Sequence, residues 1–454
     1  MEPQTNNEVE IFIEKNPEIF EFDLLLPDSN AIVRGKRVTK EKILNIYQNG
    51  MYFPASIFAM DVTGETIEET GLGIESGDQD IQCFPIPKTL KSVPWEKNRA
   101  QLLLRMFGVD SKPFYGNPRE VLKSVSEKLL KLGLKAVVAL EIEFYLTDPK
   151  RKKYQPPELA KLADREQIET EGHLYSLSSL DDHNTFLNEI SKFSEIQNIP
   201  ADTALSELSP GQFEINLHHV ENPVIACDHA VLLKRIIRSV AKKHQMEATF
   251  MAKPFKDEAG SGMHAHLSLL NQNGFNLFKG KDSKGSLELR YAIEGLRSTL
   301  SESMLLYAPH ANSYHRFQNN SYAPINASWG YNNRTVSFRV PANNGNDIRI
   351  EHRIAGADAN PYLLVSAMLS GIYNGLNMKK SPPPPTEGNA YLQKNSELPN
   401  TWEEARKSFE NGKVLTKYFG KDFCLLFSKL KLGEQYRFLS KIKPLEYDWY
   451  LNTV

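Results

Sequence analysis

The chain has 454 residues and a formal net charge of −2, from 54 Lys+Arg against 56 Asp+Glu. That balance gives no electrostatic reason to bind nucleic acid or an anionic membrane surface. Cys83, Cys227 and Cys424 lie far apart, are odd in number and form no CxxC pattern, so neither a disulfide framework nor a thiolate zinc site is indicated. No apolar run approaches the ~18 residues of a membrane span. The acidic, polar start MEPQTNNEVEIF has neither the basic nor the apolar region of a secretory signal. These features lead us to expect a soluble, cytoplasmic protein.

In chain order, Val9, Phe12, Ile13 and Phe20 predict a short helix within 8–20. Phe22–Leu26 and Ala31–Val38 read as strands around the turn formers Pro27-Asp28-Ser29-Asn30. Residues 61–82 read as a long exposed loop. The segment GVDSKPFYGNP at 108–118 concentrates turn residues, and the domain boundary is placed there, giving units 1–112 and 113–454. A helix from Pro118 to Leu132 has Pro at its start and Gly133 after its end. Ala136–Leu146 is a strongly apolar strand. Beyond it come helix 180–197, strand 212–218, helix 223–243, strands 246–252 and 263–270, and helix 285–306. Residues 308–347 are loop-rich, and Ser381–Pro385 reads as an extended surface segment.

The chemistry is concentrated in four places. Glu141 and Glu143 interrupt the apolar run AVVALEIEFYL. In a strand both carboxylates point the same way, about 7 Å apart, and desolvating them side by side is costly. A cation must meet them unless that face is open to water. Glu207 and Glu214, in SELSPGQFEINL, are weak evidence alone. His264 and His266, in GSGMHAHLSL, share a strand face behind Gly260 and Gly262. Such a pair reads equally well as structural or ligating. Arg316, Arg334, Arg339, Arg349 and Arg353 cluster around Glu351. Arginine suits bidentate recognition of carboxylate and phosphate.

Together these residues favour Mg²⁺ or Mn²⁺ over zinc, because the donors are mostly hard oxygens. Arginines beside such ions point to phosphoryl transfer. There is no GxxxxGK[ST] run, and no GxGxxG opens a helix after a strand.

The blocks LEIEF at 140–144, PGQFEINL at 210–217, KPF…GSGMHAHLSL at 253–269, NSYHRF at 312–317, NRT…FRVP at 333–341, RIEHR at 349–353 and DANPYL at 358–363 occur in this order. In order and spacing they resemble the glutamine synthetase superfamily across nearly the whole chain. The resemblance implies an α+β fold: an N-terminal β-grasp domain, then a catalytic domain with a curved antiparallel sheet and helices. It implies a homo-oligomer, a dodecamer of two stacked hexamers, with active sites between subunits.

It also implies roles. Glu143, Glu207 and Glu214 would ligate one metal, and Glu141, His264 and Glu351 a second. His266, Ser268, Arg339 and Arg349 fall where the family holds ATP. Gly260, Arg316 and Arg353 fall where it holds glutamate, and Arg334 at the phosphoryl-transfer arginine. ATP would phosphorylate the γ-carboxylate of L-glutamate, and an amine would attack the acyl phosphate.

The departures concern the amine. Ammonia-using members carry a flap glutamate in G-Y-E-A-P, where this chain has Tyr322 in Asn320–Pro324. Their D-G-S-S stretch corresponds to Phe53-Pro54-Ala55-Ser56, which has no acid. Ammonium needs carboxylates to hold its charge and take its proton. Both losses, and ETGLG at 69–73, resemble the γ-glutamyl–polyamine ligase branch, with putrescine or another polyamine as the expected acceptor. Ammonia-using catalysis and a catalytically inactive superfamily member are the alternatives. Ala259 and Asn346 replace a glutamate-contacting asparagine and a phosphate-contacting lysine of ammonia-using members.

Overall fold

The computed structural model describes residues 7–151, 154–161, 168, 172–345, 347–393 and 398–454. Asn346 lies outside them.

The first sheet has six strands: β1 Glu21–Pro27, β2 Val33–Thr39, β3 Met51–Pro54, β4 Asp80–Pro85, β5 Lys91–Ser92 and β6 Arg99–Met106. Their order is β2-β1-β6-β4-β3, with β5 also on β6. β1 and β6 are parallel and the flanking pairs antiparallel. With helix Lys40–Asn49 this is a β-grasp arrangement. Strand alternation explains how it seats. Phe22, Leu24 and Leu26 of β1 face a local core with Ile43, Leu102 and Leu104. Leu25 and Leu103 face the other way, into the main core. Asp23 and Gln101 share that second face, and Arg235 donates to both at 2.8 Å.

The second sheet has eight strands: β7 Lys135–Thr147, β8 Ala201–Ser206, β9 Gln212–Leu217, β10 Glu247–Thr249, β11 Met263–Leu270, β12 Trp329–Tyr331, β13 Phe338–Val340 and β14 Ile350–His352. The order is β12-β13-β14-β11-β7-β9-β8, with β10 on β7. Only β12–β13 is parallel. Helix Pro223–Lys243 packs on β7 and β10, and helix Pro361–Met378 packs against that helix. Each begins with Pro behind an Asn cap, Asn222 or Asn360.

Several expected elements differ. The first helix is Asn7–Lys15, and the helix after Asn117 ends at Leu130. The expected loop 61–82 runs into β4 and carries two short turns, with Ile67 buried against the main core. The expected helix 180–197 is two helices meeting at His183, whose Nδ1 lies 2.9 Å from the Ser179 carbonyl. The expected helix 285–306 breaks at Thr299, whose Oγ1 donates to the Gly295 carbonyl at 2.9 Å. Side-chain back-bonding of this kind competes with the helical ladder. The expected strand 246–252 shrinks to the three residues of β10. The proline segment is pinned: Trp329 Nε1 donates to Pro383 O at 2.8 Å, and Thr386 N to Trp329 O at 2.7 Å.

Candidate active site

The uncovered face of the second sheet carries the chemistry, in rows set by strand register. His264 of β11 stands opposite Glu141 of β7, which stands opposite Asn216 of β9. One step along β7, Glu143 stands opposite Glu214. Arg339 of β13 stands opposite Glu351 of β14, and Glu351 opposite His266 of β11. The two-residue spacings seen in the sequence thus become parallel rows of charge on one surface. Glu207 follows β8, where its N–H donates to Gln212 O at 2.9 Å. His352, between Glu351 and Arg353, faces away and is fully buried against Tyr307 and Phe338.

Among the described residues, three groups of ligand atoms lie within 4.8 Å of one another: Glu143 with Glu207 and Glu214, Glu141 with Glu214 and His264, and Glu141 with His266 and Glu351. The first is the set expected for one metal. The expected second set, Glu141, His264 and Glu351, does not converge as a trio. Register is the reason: Glu351 pairs with His266, whereas His264 pairs with Glu141. His264 Nδ1 lies 3.2 Å from Glu141 Oε2, and His266 Nε2 lies 2.8 Å from Glu141 Oε1.

The charges are unbalanced on the Glu143 side. Burial and the neighbouring Glu143 push the Glu207 carboxyl up to about 8. Burial, then Glu141, Glu143 and Glu207, raise Glu214 well above the carboxylate range. Arg334 and Arg353 act on Glu207, and Arg353 on Glu214, but they do not outweigh burial and mutual repulsion, and such crowded carboxylates are a fitting environment for a divalent ion. Glu351 is different. Burial opposes its charge, but Arg353, the two histidines and Arg339 outweigh it and hold the group at about 2. Arg339 Nη1 donates to Glu351 Oε2 at 2.7 Å, and Arg353 Nη1 to Glu351 Oε1.

The remaining arginines come from loops. Arg316 ends the short turn Ala311–Arg316 and is 5% exposed. Its Nη1 donates to Ile354 O at 2.8 Å, and its Nε has no protein partner. Gly260 lets this side chain in: a Cβ there would lie 2.6 Å from Arg316 Cγ and 2.8 Å from Ala252 O. Arg334 is exposed, and its carbonyl accepts from Arg353 Nε at 3.2 Å. Arg349 Nε donates to His266 Nδ1 at 3.2 Å, which leaves the proton on His266 Nε2, facing Glu141.

Two cavities meet over the sheet and share Glu141 and Asn216. One, about 470 Å³, holds Glu143, Glu207, Glu214, Glu351, Gly260, Arg316, Arg334, Arg339, Arg353 and Tyr322. The other, about 860 Å³, holds His266, Ser268 and Arg349. Arg339, expected with the second group, opens into the first. Tyr322 has φ 57 and Tyr175 φ 62, and both side chains are more than half exposed on the smaller cavity. A left-handed backbone at a tyrosine is uncommon and carries strain.

Sequence reading missed Asn216, Tyr175, His218 and His219. Asn216 was legible, two residues beyond Glu214 in QFEINL and so on the same face. Its Oδ1 is buried without a partner, between the two cavities. His218 and His219 follow β9 and line the larger cavity. No spacing flags them.

A family model described as glutamine synthetase, catalytic domain, matches residues 115–450. The chain belongs to the glutamine synthetase family. Over 450 residues it is 41% identical to the γ-glutamylputrescine synthetase PuuA of Escherichia coli K12, covering 98% of this chain and 94% of that one. Over 451 residues it is 33% identical to the glutamate–isopropylamine ligase of a Pseudomonas species, covering 98% and 97%. The solved structure of GmaS without ligand superposes with a TM-score of 0.84 at 25% identity, covering 97% of this chain and 98% of that one.

Proposed function

We propose that the chain is an ATP-dependent ligase that joins the γ-carboxyl of L-glutamate to a primary amine, putrescine or another polyamine, through γ-glutamyl phosphate. One observation carries the reading. A cavity with a carboxylate floor and an arginine wall ends at Tyr322, where the resemblance places a glutamate in ammonia-using relatives. Relatives named for putrescine and isopropylamine support it.

In this reading Glu143, Glu207 and Glu214 hold one Mg²⁺ or Mn²⁺, and Glu141 and Glu351 hold a second with an imidazole of the HAH pair. Bound ions draw charge from the oxygens of a transferring phosphoryl group. Arg316, Arg353 and Gly260 hold the substrate glutamate. The partnerless Arg316 Nε and the close approach at Gly260 suit a carboxylate. His266, Ser268 and Arg349 take the nucleotide phosphates in the larger cavity, with Arg339 at the junction. Arg334 reaches the transferring group from its loop, and Glu351 keeps Arg339 and Arg353 in place. The γ-phosphoryl of ATP passes to the glutamate γ-carboxylate. The amine nitrogen attacks the acyl carbon, and phosphate and a proton leave.

We place the N-terminal unit at 1–112 and the catalytic unit at 113–454, in a double-ring homo-oligomer. Among the described residues, none before Val137 lines either cavity, which is consistent with a neighbouring subunit closing the amine side.

The test is phosphate release with glutamate and Mg-ATP across ammonium, methylamine, ethanolamine, putrescine, cadaverine and spermidine. We expect one diamine or polyamine to stimulate most strongly. Ammonium giving the highest kcat/KM of the series would overturn the polyamine assignment in favour of glutamine synthesis.

A further inference from the structure

A buried ionic chain outside the cavities leads to Arg316. Lys431, in helix Lys421–Leu439, is 0% exposed. Its Nζ donates to Asn30 Oδ1 at 2.7 Å and to Glu434 Oε2 at 2.9 Å. The other oxygen of Glu434 lies 2.9 Å from His310 Nδ1. His310 immediately precedes the turn Ala311–Arg316. Its N–H donates to Ser313 Oγ at 3.1 Å, and Ser313 Oγ donates to Asp358 Oδ2 at 2.5 Å. Asn312 Nδ2 donates to Lys253 O at 2.9 Å, and Lys253 N donates back to Asn312 Oδ1 at 2.8 Å. Asn30 belongs to the Asp28–Asn30 turn of the first sheet, whose carbonyls at Asp28 and Ser29 accept from Asn360 Nδ2.

The cost of this chain sets it apart. A buried ion pair stabilises a fold no better than apolar residues of the same shape. None of Lys431, Glu434 and His310 lines either cavity. What the chain provides is direction. A two-turn 3₁₀ segment such as Ala311–Arg316 has weak internal hydrogen bonding and is fixed by what grips its ends. At one end Glu434 grips His310; at the other Arg316 enters the cavity with only Nη1 bonded to protein.

We propose that Glu434, neutralised by Lys431, is a positioning residue that acts through His310 to fix the turn presenting Arg316 to the substrate carboxylate. This rests on the reading of Arg316 as a glutamate-holding residue. It adds that the aim of Arg316 is set by helix Lys421–Leu439 and, through Asn30, by the seat of the N-terminal sheet.

The experiment uses the full chain in its native assembly. The double variant Lys431→Met/Glu434→Leu replaces the pair by apolar side chains and releases His310. We expect KM for glutamate to rise about tenfold. KM for ATP and the thermal midpoint stay near wild type. Unchanged KM for glutamate overturns the proposal, as does an equal rise in both KM values, which signals general loosening. If the double variant does not fold, His310→Leu leaves Lys431 and Glu434 paired and carries the same test with the same outcomes. Stabilisation of the wild type by glutamate is measured alongside. Its absence overturns the glutamate reading itself, whereas its presence with equal stabilisation of the variant overturns only the positioning role.

Discussion

Glu143 and Glu214 face each other across the β7–β9 ladder, two buried carboxylates in register on adjacent strands. Like charges directly opposite destabilise a sheet. Glu143 Oε2 accepts from Gly262 N at 2.6 Å, which anchors it but adds no opposing charge. Arg316 and Arg353 offset the repulsion only in part, so Glu214 stays well above the carboxylate range, and a divalent ion held between these groups would offset the rest.

Replacing one of the two carboxylates has opposite effects with and without metal. Glu214→Gln is expected to stabilise the metal-free protein by about 1 kcal/mol, because the amide is neutral without the proton that burial and the neighbouring carboxylates force on Glu214. The wild type gains about 2.7 kcal/mol at a Mn²⁺ concentration a hundredfold above Kd. The variant loses most of that gain. Thermal unfolding with and without Mn²⁺ measures both. A wild type that gains nothing from Mn²⁺ or Mg²⁺ removes the metal site.

Glu351 is held between Arg339 and Arg353. Glu351→Ala takes the shared carboxylate from the buried Arg353 and the part-buried Arg339, at a cost of roughly 3 kcal/mol. Glu351→Gln keeps the shape and isolates the chemistry. Its turnover is expected to fall a hundredfold or more, on the order of a lost transition-state contact, with the assembly intact by light scattering. Near-normal turnover would remove Glu351 from the site.

Tyr322→Glu supplies the carboxylate that ammonium needs. The variant keeps the left-handed backbone, so its strain is unchanged. The ratio of kcat/KM for ammonium to that for putrescine is expected to rise about tenfold, the effect of one favourable charge contact. An unchanged ratio would show that the flap is not the discriminator.

Lys234 gives a pH signature independent of the site. It sits in helix Pro223–Lys243, buried, and donates to Ala357 O at 2.5 Å. Burial, then the nearby Arg238, lowers its ammonium to about 7 from the ordinary 10.5. Below about 7 both folded and unfolded chains carry the proton, and the full cost of burying the charge is present. As pH rises toward 10.5 only the unfolded chain keeps it, so stability climbs. The contribution of one such proton is about 1.4 kcal/mol per pH unit. Denaturant unfolding at pH 7 and pH 9 is expected to show this rise in the wild type and its loss in Lys234→Met. Equal rises in the two would show that Lys234 is not the group responsible.

Much of the site was legible because its spacing is that of a strand. Glu141 with Glu143, and His264 with His266, each share a face by alternation alone. Helix Pro223–Lys243 was legible to the residue, since an Asn cap, Pro at N1 and a long apolar face agree. The grouping of histidines with acids was not legible. It depends on register between β11, β7 and β14, and strands far apart in sequence do not state their register. The short β12 was equally hidden, inside a stretch that reads as loop-rich, whereas VSFRVP reads as strand-like around Arg339 and Arg349 alternates with Ile348 and Ile350. Glu434 and Lys431 look like solvated helix charges until the fold buries them.

The proline run also decides where the second sheet stops. β12 is its outermost strand on that side, and an open strand there offers carbonyls and N–H groups to any passing chain. Trp329 has its carbonyl taken by Thr386 N and its indole fastened to Pro383 O, so Pro382–Pro385 is strapped beside that edge. Prolines have no N–H to donate, so a strand laid against the strap finds half of the usual ladder missing. The segment works as a selvedge: it finishes the fabric so that no further strand can be woven on, and concentrated protein is spared one route to fibrous association.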